Sequence, residues 1–505
     1  MDPKLNSWVT KARSTLNATH PATTTRARCP RFAACLMATM LASTPLHAEM
    51  VQLPDMGEHA SSVISAAQQR RIGESVMRQM RNAGELVNDP EASAYINDLG
   101  YRLISHGEPS AQKYTFFIVK DPAINAFALP GGFIGVNAGL IAATRNESEL
   151  ASVLAHEIAH VTQNHLARGF EKAQQMNLPL TAAVIAAILL GAHNPQVGEA
   201  ALAASAAGSQ QMQLDFTRAN EEEADRVGMK LLARSDFDPR SMPEFFERLQ
   251  QQSRYYASGL PEFLRTHPVT AHRIADTMNR AEQYPAKKPP KDVSYSLIKA
   301  KLEVEQSRDP TALARRLAKE LKTHSYSDEA ATRYGYALAL DAAGDAKAAE
   351  TQLLRLYEGE PNRIAYALAL GSVRVDAGRY PLAIQVYRKS LALYPENTPL
   401  TLGLCDALLK AGKAQEAKTA ISALVRGNED APAAAYQVLA RAESKLGDDT
   451  ASHIALAESY RRQGEPANAI AQLEIAKKKK DLDFYQSSRI GAMLGELRRE
   501  LKNAK

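Results

Sequence analysis

Asn146-Glu-Ser-Glu-Leu-Ala-Ser-Val-Leu-Ala-His-Glu-Ile-Ala-His160 decides how the first half of this 505-residue chain is read. Asn146 has an N-cap side chain and Glu149 follows three residues on, so a helix is expected to start here. Leu150, Val153, Leu154, Ile158 and Val161 recur at helical spacing and predict a buried face. The four-residue spacing of His156 and His160 advances about 400°, so both imidazoles leave one face a turn apart, with Glu157 beside them. Two imidazoles so placed can share a tetrahedral Zn²⁺. A metallohydrolase then needs a third protein ligand, an open position for water, and a base.

Working outward, Glu221-Glu-Glu-Ala-Asp225 lies 61 residues past His160 in another helical stretch, with Glu221 and Asp225 one turn apart. A carboxylate there can complete the coordination, and Asp225 can hold the far ring nitrogen of a ligand histidine. Spacing alone leaves open which of Glu221, Glu222 and Glu223 faces the ion. His165, five residues past His160, is expected to point elsewhere on the same helix. Ahead of that helix, Tyr114 to Val119 reads as a strand, and Ala126 to Val136 as two short strands around a Pro-Gly-Gly turn. An exposed edge of that small sheet would offer unpaired backbone groups to an extended polypeptide.

Beyond about residue 294 the chain reads as helix after helix. Gly344, Gly378 and Gly412 are spaced by 34 residues, and Gly464 stands later with the same flanking residues. Small residues precede each by seven (Ala337, Gly371, Cys405, Ala457), and an alanine follows each by five (Ala349, Ala383, Ala417, Ala469). The pattern resembles the tetratricopeptide repeat, in which two helices meet at a glycine turn. Gly447 lies half a period before Gly464, which predicts one helix shared by successive hairpins. Cys405 is read as a small packing residue, and Lys477 to Lys480 as a solvated helix face. Tyr284-Pro-Ala-Lys-Lys-Pro-Pro-Lys291 separates the halves, because clustered prolines with lysines resist helix and sheet alike.

With 45% hydrophobic and 23% charged residues the chain is globular, and its length excludes a single small module. The formal charge of +5 comes from residues 1–48, which carry six Lys/Arg against Asp2 alone; the remainder is balanced. That balance gives no reason to expect a nucleic-acid partner. Arg26, Arg28 and Arg31 before the apolar run Phe32 to Ala42 read as a cleavable export signal. Cys29 and Cys35 would leave with it, so Cys405 could form no internal disulfide.

His156-Glu-Ile-Ala-His160, then Asn220-Glu-Glu-Glu-Ala-Asp-Arg-Val-Gly228, then His267-Pro268 with Arg273, resemble the zinc metallopeptidase family of the prenyl-protein endopeptidases and the heat-shock membrane peptidase. Leu53-Pro-Asp-Met-Gly57, Ile124-Asn-Ala-Phe-Ala128 and the C-terminal repeats extend the resemblance, within a periplasmic branch of that family, over nearly the whole chain after residue 48. The resemblance implies one Zn²⁺ per chain on His156, His160 and Glu221, with Glu157 as base and Asp225 behind a ligand histidine. It places His267 and Arg273 near the metal, His267 either bonding the tetrahedral oxyanion or taking the fourth zinc position. It also implies a periplasmic endopeptidase with chaperone-like behaviour toward unfolded or misassembled outer-membrane β-barrel proteins, acting near the barrel-assembly machinery.

The fold expected is an α+β zincin-like metallopeptidase domain with a small sheet (49–283), a linker (284–293) and an all-α tetratricopeptide-repeat superhelix (294–505). An assembly factor acting mainly by binding through its repeats, with the peptidase normally repressed, is the competing expectation. A prenyl-protein or integral-membrane protease is disfavoured, since no run of about 20 apolar residues follows the leader. Leu178 to Ala192 comes nearest and is expected to form a mobile helix or lid, or else a peripheral membrane contact.

Overall fold

The computed structural model describes residues 65–108, 112–175, 207–253, 261–287, 293–428, 430–479 and 482–503, all within the unit Asp55–Lys505. The signal expected at 1–48 and the apolar stretch Leu178 to Ala192 lie outside the described residues.

Helices α1 (Ala66–Asn82) and α2 (Pro90–Ile104) precede strands β1 (Thr115–Val119), β2 (Ala126–Leu129) and β3 (Phe133–Asn137). The hairpin forms as the Pro-Gly-Gly turn predicts: β2 and β3 pair antiparallel, with Ala126 opposite Val136. β1 lies parallel to β3 on its other side, so the order is β1-β3-β2 and β2 is an edge. β3, flanked by both, is buried along its whole length.

Next come α3 (Ala138–Ala143), α4 (Glu147–Thr162), α5 (His165–Gln175), α6 (Ala207–Arg234), α7 (Ser241–Ser253), α8 (Glu262–Thr266) and α9 (Ala271–Ala281). Asn146 Oδ1 accepts the Glu149 backbone N–H at 3.0 Å, so α4 starts where its cap predicts. It departs from the expectation of one buried face, because every residue from Glu147 to Ala159 is buried. β2 covers one side, and α2, α6 and α7 the others. Small residues let α6 approach closely: a Cβ on Gly228 would stand 3.0 Å from the Ala155 carbonyl and the His156 nitrogen. Burial of Leu150, Leu154 and Ile158 contributes roughly 1.5–3 kcal/mol each.

The second half runs through α10 (Val293–Gln306), α11 (Pro310–Thr323), α12 (Glu329–Ala342), α13 (Ala346–Gly359), α14 (Ile364–Asp376), α15 (Tyr380–Leu393), α16 (Thr398–Lys410), α17 (Ala414–Gly427), α18 (Ala433–Lys445), α19 (Asp449–Arg462), α20 (Pro466–Lys477) and α21 (Phe484–Asn503). Gly344, Gly378 and Gly412 turn successive hairpins with φ of 89°, 70° and 75°. Gly447 and Gly464 flank α19, which two hairpins share as the half period predicts. At the small-residue positions Ala337, Cys405 and Ala457 are fully buried, and a Cβ on Gly371 would stand 2.2 Å from the Tyr387 ring. Burial pushes the Cys405 thiol up to about 12, as suits a packing residue. Lys477, Lys478 and Lys479 are exposed; Lys480 lies outside the described residues.

The two halves meet through α10. Tyr295, Ile298 and Leu302 join the first core and Leu297 the repeat core. Tyr295 donates to the Thr144 carbonyl at 2.8 Å, and Lys301 pairs with Asp89 at 2.7 Å and Glu91 at 2.9 Å. Farther along, Arg81 donates to the Gln463 carbonyl at 3.0 Å, so the repeats touch the first half again through the α19–α20 turn. No helix among the described residues is long and apolar enough to cross a membrane.

Candidate metal centre

Helix α4 presents His156 and His160 with both Nε2 atoms inward, 3.0 Å apart. α6 supplies Glu221, whose Oε2 lies 3.3 Å from His156 Nε2 and whose Oε1 lies 3.4 Å from His160 Nε2. The question the spacing left open has a geometric answer: Glu221 is 3% exposed and faces the histidines. Glu222 turns to the surface beside His272 at 3.2 Å, and Glu223 turns toward α5.

A fourth donor comes from the short helix α8. His267 ends it, donating its backbone N–H to the Phe263 carbonyl at 2.7 Å while its ring stacks on the buried Phe263 ring at 4.9 Å. That clamp sets His267 Nδ1 at 3.1 Å from both Glu221 oxygens and 3.4 Å from His156 Nε2. One donor atom from each of His156, His160, Glu221 and His267 lies within 4.8 Å of the others. A tetrahedral ion with bonds of about 2.0–2.1 Å would space its donors about 3.3 Å apart. The separations of 3.0–3.4 Å among these atoms match that figure, so the residues present fit a metal ion.

Glu157, on the next position of α4, is 1% exposed, and its Oε1 stands 3.4 Å from His267 Nε2. Among the described residues that oxygen accepts no hydrogen bond. Burial pushes the Glu157 carboxyl above its ordinary range, with His267 and His156 pulling back. Glu221 responds oppositely: burial would raise it, but the His267 charge and hydrogen bonds from His156 and His267 outweigh burial and hold it well below the usual carboxylate range.

Asp225, one turn beyond Glu221, brings Oδ1 to 3.0 Å from His156 Nδ1, a close charge contact off the ideal hydrogen-bond line. Burial lowers the His156 ring, yet the negative charge of Asp225 and Glu221 together pushes it up to about 10. Arg273 binds Asp225 in a fork, Nε to Oδ2 at 2.7 Å and Nη2 to Oδ1 at 2.8 Å. Its Nη1 reaches Glu221 Oε2 at 2.9 Å and the Pro268 carbonyl at 2.8 Å. One guanidinium therefore ties together Glu221, Asp225 and the loop that carries His267.

All seven residues singled out in the sequence thus lie in one cluster, buried except for the partly exposed His160. His165 is where expectation and structure part. It does not point elsewhere on α4, because α4 ends at Thr162, Asn164 takes φ 51°, and His165 opens α5 with its Nδ1 2.8 Å from His160 Nδ1. The signal was Asn164, since asparagine is the residue that most readily replaces glycine where a helix stops in the left-handed region. Glu223, on the far side of His165, carried no signal of its own.

The peptidase family M48 model matches residues 90–281, and a tetratricopeptide-repeat model matches 374–434. The β-barrel assembly-enhancing protease of Escherichia coli strain K12 is 36% identical over 471 residues, covering 92% of this chain and 96% of that protein. Its Yersinia pestis counterpart is 34% identical over 88% and 92% of the two chains. The mitochondrial metalloendopeptidase OMA1 of Schizosaccharomyces pombe is 31% identical over 36% of this chain and half of its own length. A tetratricopeptide repeat protein from Parabacteroides merdae, 13% identical, overlaps half of this chain and 98% of its own with a TM-score of 0.27. Similarity spanning both halves, with every motif residue of the metal cluster in place, leaves one assignment: the chain is a metallopeptidase with a tetratricopeptide-repeat region and belongs to the family of β-barrel assembly-enhancing proteases.

Proposed function

We propose that this chain is an exported, periplasmic zinc endopeptidase with chaperone-like activity, which cleaves or assists unfolded and misassembled outer-membrane β-barrel proteins. The convergence of His156, His160 and Glu221 from two helices, with Glu157 beside them, is the observation that carries it. His156, His160 and Glu221 would hold one Zn²⁺, and the imidazole and carboxylate donor set suits that ion. When bound, it supplies Lewis acidity toward water and toward a peptide carbonyl. Glu157 takes the proton of the attacking water and returns it to the leaving amine. Asp225 orients His156, and Arg273 fixes Asp225 and Glu221 in place, acting through its carboxylates. An extended substrate would lie along the outer edge of β2, which packs against α4. Unassembled β-barrel proteins are rich in such segments, and the names of the related proteases support them as clients.

His267 favours a second reading of the same site. Its Nδ1 stands where a fourth donor would, which supports a resting form closed by His267, with the repeats (294–505) recruiting clients or the barrel-assembly machinery. If His267 is such a stopper, His267→Ala raises cleavage; if it bonds the oxyanion, the same change lowers it.

Zinc content of the purified protein, with and without His156→Ala, tests the site directly: about one equivalent is expected, falling sharply in the variant. A wild-type protein that binds no divalent ion overturns the proposal. Complementation with Glu157→Gln separates the readings, because restored outer-membrane assembly would assign the main role to binding.

A further inference from the structure

Each ligand histidine has a second ring nitrogen, and the protein holds the two by different means. His156 Nδ1 meets a carboxylate directly, Asp225 at 3.0 Å. His160 Nδ1 meets another imidazole, His165 Nδ1 at 2.8 Å. His165 Nε2 then lies 3.1 Å from Glu223 Oε2, and the same oxygen accepts from Arg168 Nη2 at 2.6 Å. Arg168 Nη2 also reaches Asn220 Oδ1 at 3.2 Å. The arrangement exists only because α4 breaks at Asn164; on an unbroken helix a residue five positions on would face about 140° away.

Counting hydrogens fixes the direction of these bonds. Two ring nitrogens 2.8 Å apart need a proton between them. His160 Nε2 points into the donor cluster, 3.0 Å from His156 Nε2, so a ligating His160 keeps its lone pair there and its proton on Nδ1. That N–H donates to His165 Nδ1. His165 then carries its own proton on Nε2 and donates it to Glu223.

We infer that His165, anchored by Glu223 and Arg168, is the positioning residue of His160, a proposal that rests on reading His160 as a metal ligand. The chain His160–His165–Glu223 is the longer counterpart of His156–Asp225. Partners of this kind orient the ligand ring and raise its basicity, and their loss typically weakens metal affinity about 10- to 100-fold. His165 is itself buried at 5% exposure, whereas Glu223 is 29% exposed, so the second ligand is anchored to a surface ion pair of α5 and α6 while the first is anchored in the core.

The test uses the full chain and Zn²⁺ competition against a chelating dye, with circular dichroism to verify folding. His165→Ala is expected to bind Zn²⁺ about 10- to 100-fold more weakly, and His165→Gln, which keeps an acceptor and a donor, to recover much of the loss. Glu223→Gln should weaken binding in the wild-type background and add nothing to His165→Ala, as a pair acting in series requires. The His160 Nδ1–H proton resonance of the zinc-loaded protein should be present in wild type and lost to exchange in His165→Ala. A folded His165→Ala within about twofold of wild-type affinity overturns the inference, as does a Glu223→Gln loss that is the same with and without His165. Should His165→Ala not fold, unchanged affinity in Glu223→Gln alone overturns it. If the wild type itself binds no Zn²⁺, the metal-site reading fails; if the wild type binds and these variants bind equally well, only the role of His165 fails.

Discussion

The two halves of this chain handle buried charge in opposite ways. In the peptidase half His156, Glu157, Glu221, Asp225 and Arg273 are all at most 3% exposed and lie in one cluster. In the repeat half the core is apolar, mainly alanine, leucine, tyrosine and valine, and buried charge is dispersed, as where Glu350 meets Arg374 at 2.7 Å. Buried ion pairs are weak contributors to stability, because desolvation cancels much of their attraction. The first cluster therefore serves to fix directions of approach, and the stability of the fold comes from apolar packing in both halves. Substitutions in the two regions should separate cleanly into effects on chemistry and effects on folding.

Glu157→Gln should show the largest effect. Peptide cleavage is expected to fall about 10²- to 10⁴-fold while metal content and unfolding midpoint stay at wild-type values. Full proteolysis by the variant would break the comparison, since Glu157 would then be only one more buried acid.

Leu353→Ala probes the other half. Leu353 is fully buried, and its truncation should cost about 2–5 kcal/mol in urea unfolding without changing the metal affinity of the folded protein. Loss of metal affinity in step with stability would show that the cores cannot be treated apart.

Acid should weaken the first half. Despite burial, Arg273 and His156 hold Asp225 below its ordinary value, and His267 and His156 do the same for Glu221. Groups lowered in this way stabilise the fold above the ordinary carboxylate range, and that contribution is lost as pH falls through their lowered values. Burial also depresses His165, to about 4 from 6.5, so the unfolded chain takes up a proton first and stability drops between those values as pH falls. Urea titrations of metal-free protein should show this loss, and His165→Gln should flatten its upper part. A slope unchanged by His165→Gln would place the titration elsewhere.

The smallest effect is expected at a repeat turn. Gly378→Ala puts a side chain at φ 70° and should cost about 1–2 kcal/mol, with cleavage unchanged. A much larger loss would mean that the turn also supports contacts beyond its own hairpin.

Much of the site could be read from the chain because its decisive spacings are local. His156 and His160 sit one helical turn apart, as do Glu221 and Asp225, and backbone geometry puts each pair on one face whatever surrounds it. The hairpin glycines are equally local, since a left-handed turn between helices selects the same residue each time. Composition and periodicity did not carry the full burial of α4, which depends on β2, α2, α6 and α7 closing over it.

From its residues alone, this protein settled which side chains could bind a metal, where its helical repeats turn, and where its small sheet forms, because each of these follows from near-neighbour geometry. Spacing left the choice among Glu221, Glu222 and Glu223 open, the family resemblance named Glu221, and the folded chain sets Glu221 against the histidines; only the folded chain decided that His267 brings Nδ1 to the same focus and that His165 backs His160. Those choices depend on how separate elements pack and on a helix break at Asn164, and such long-range orientation is not written in the spacing of any single segment.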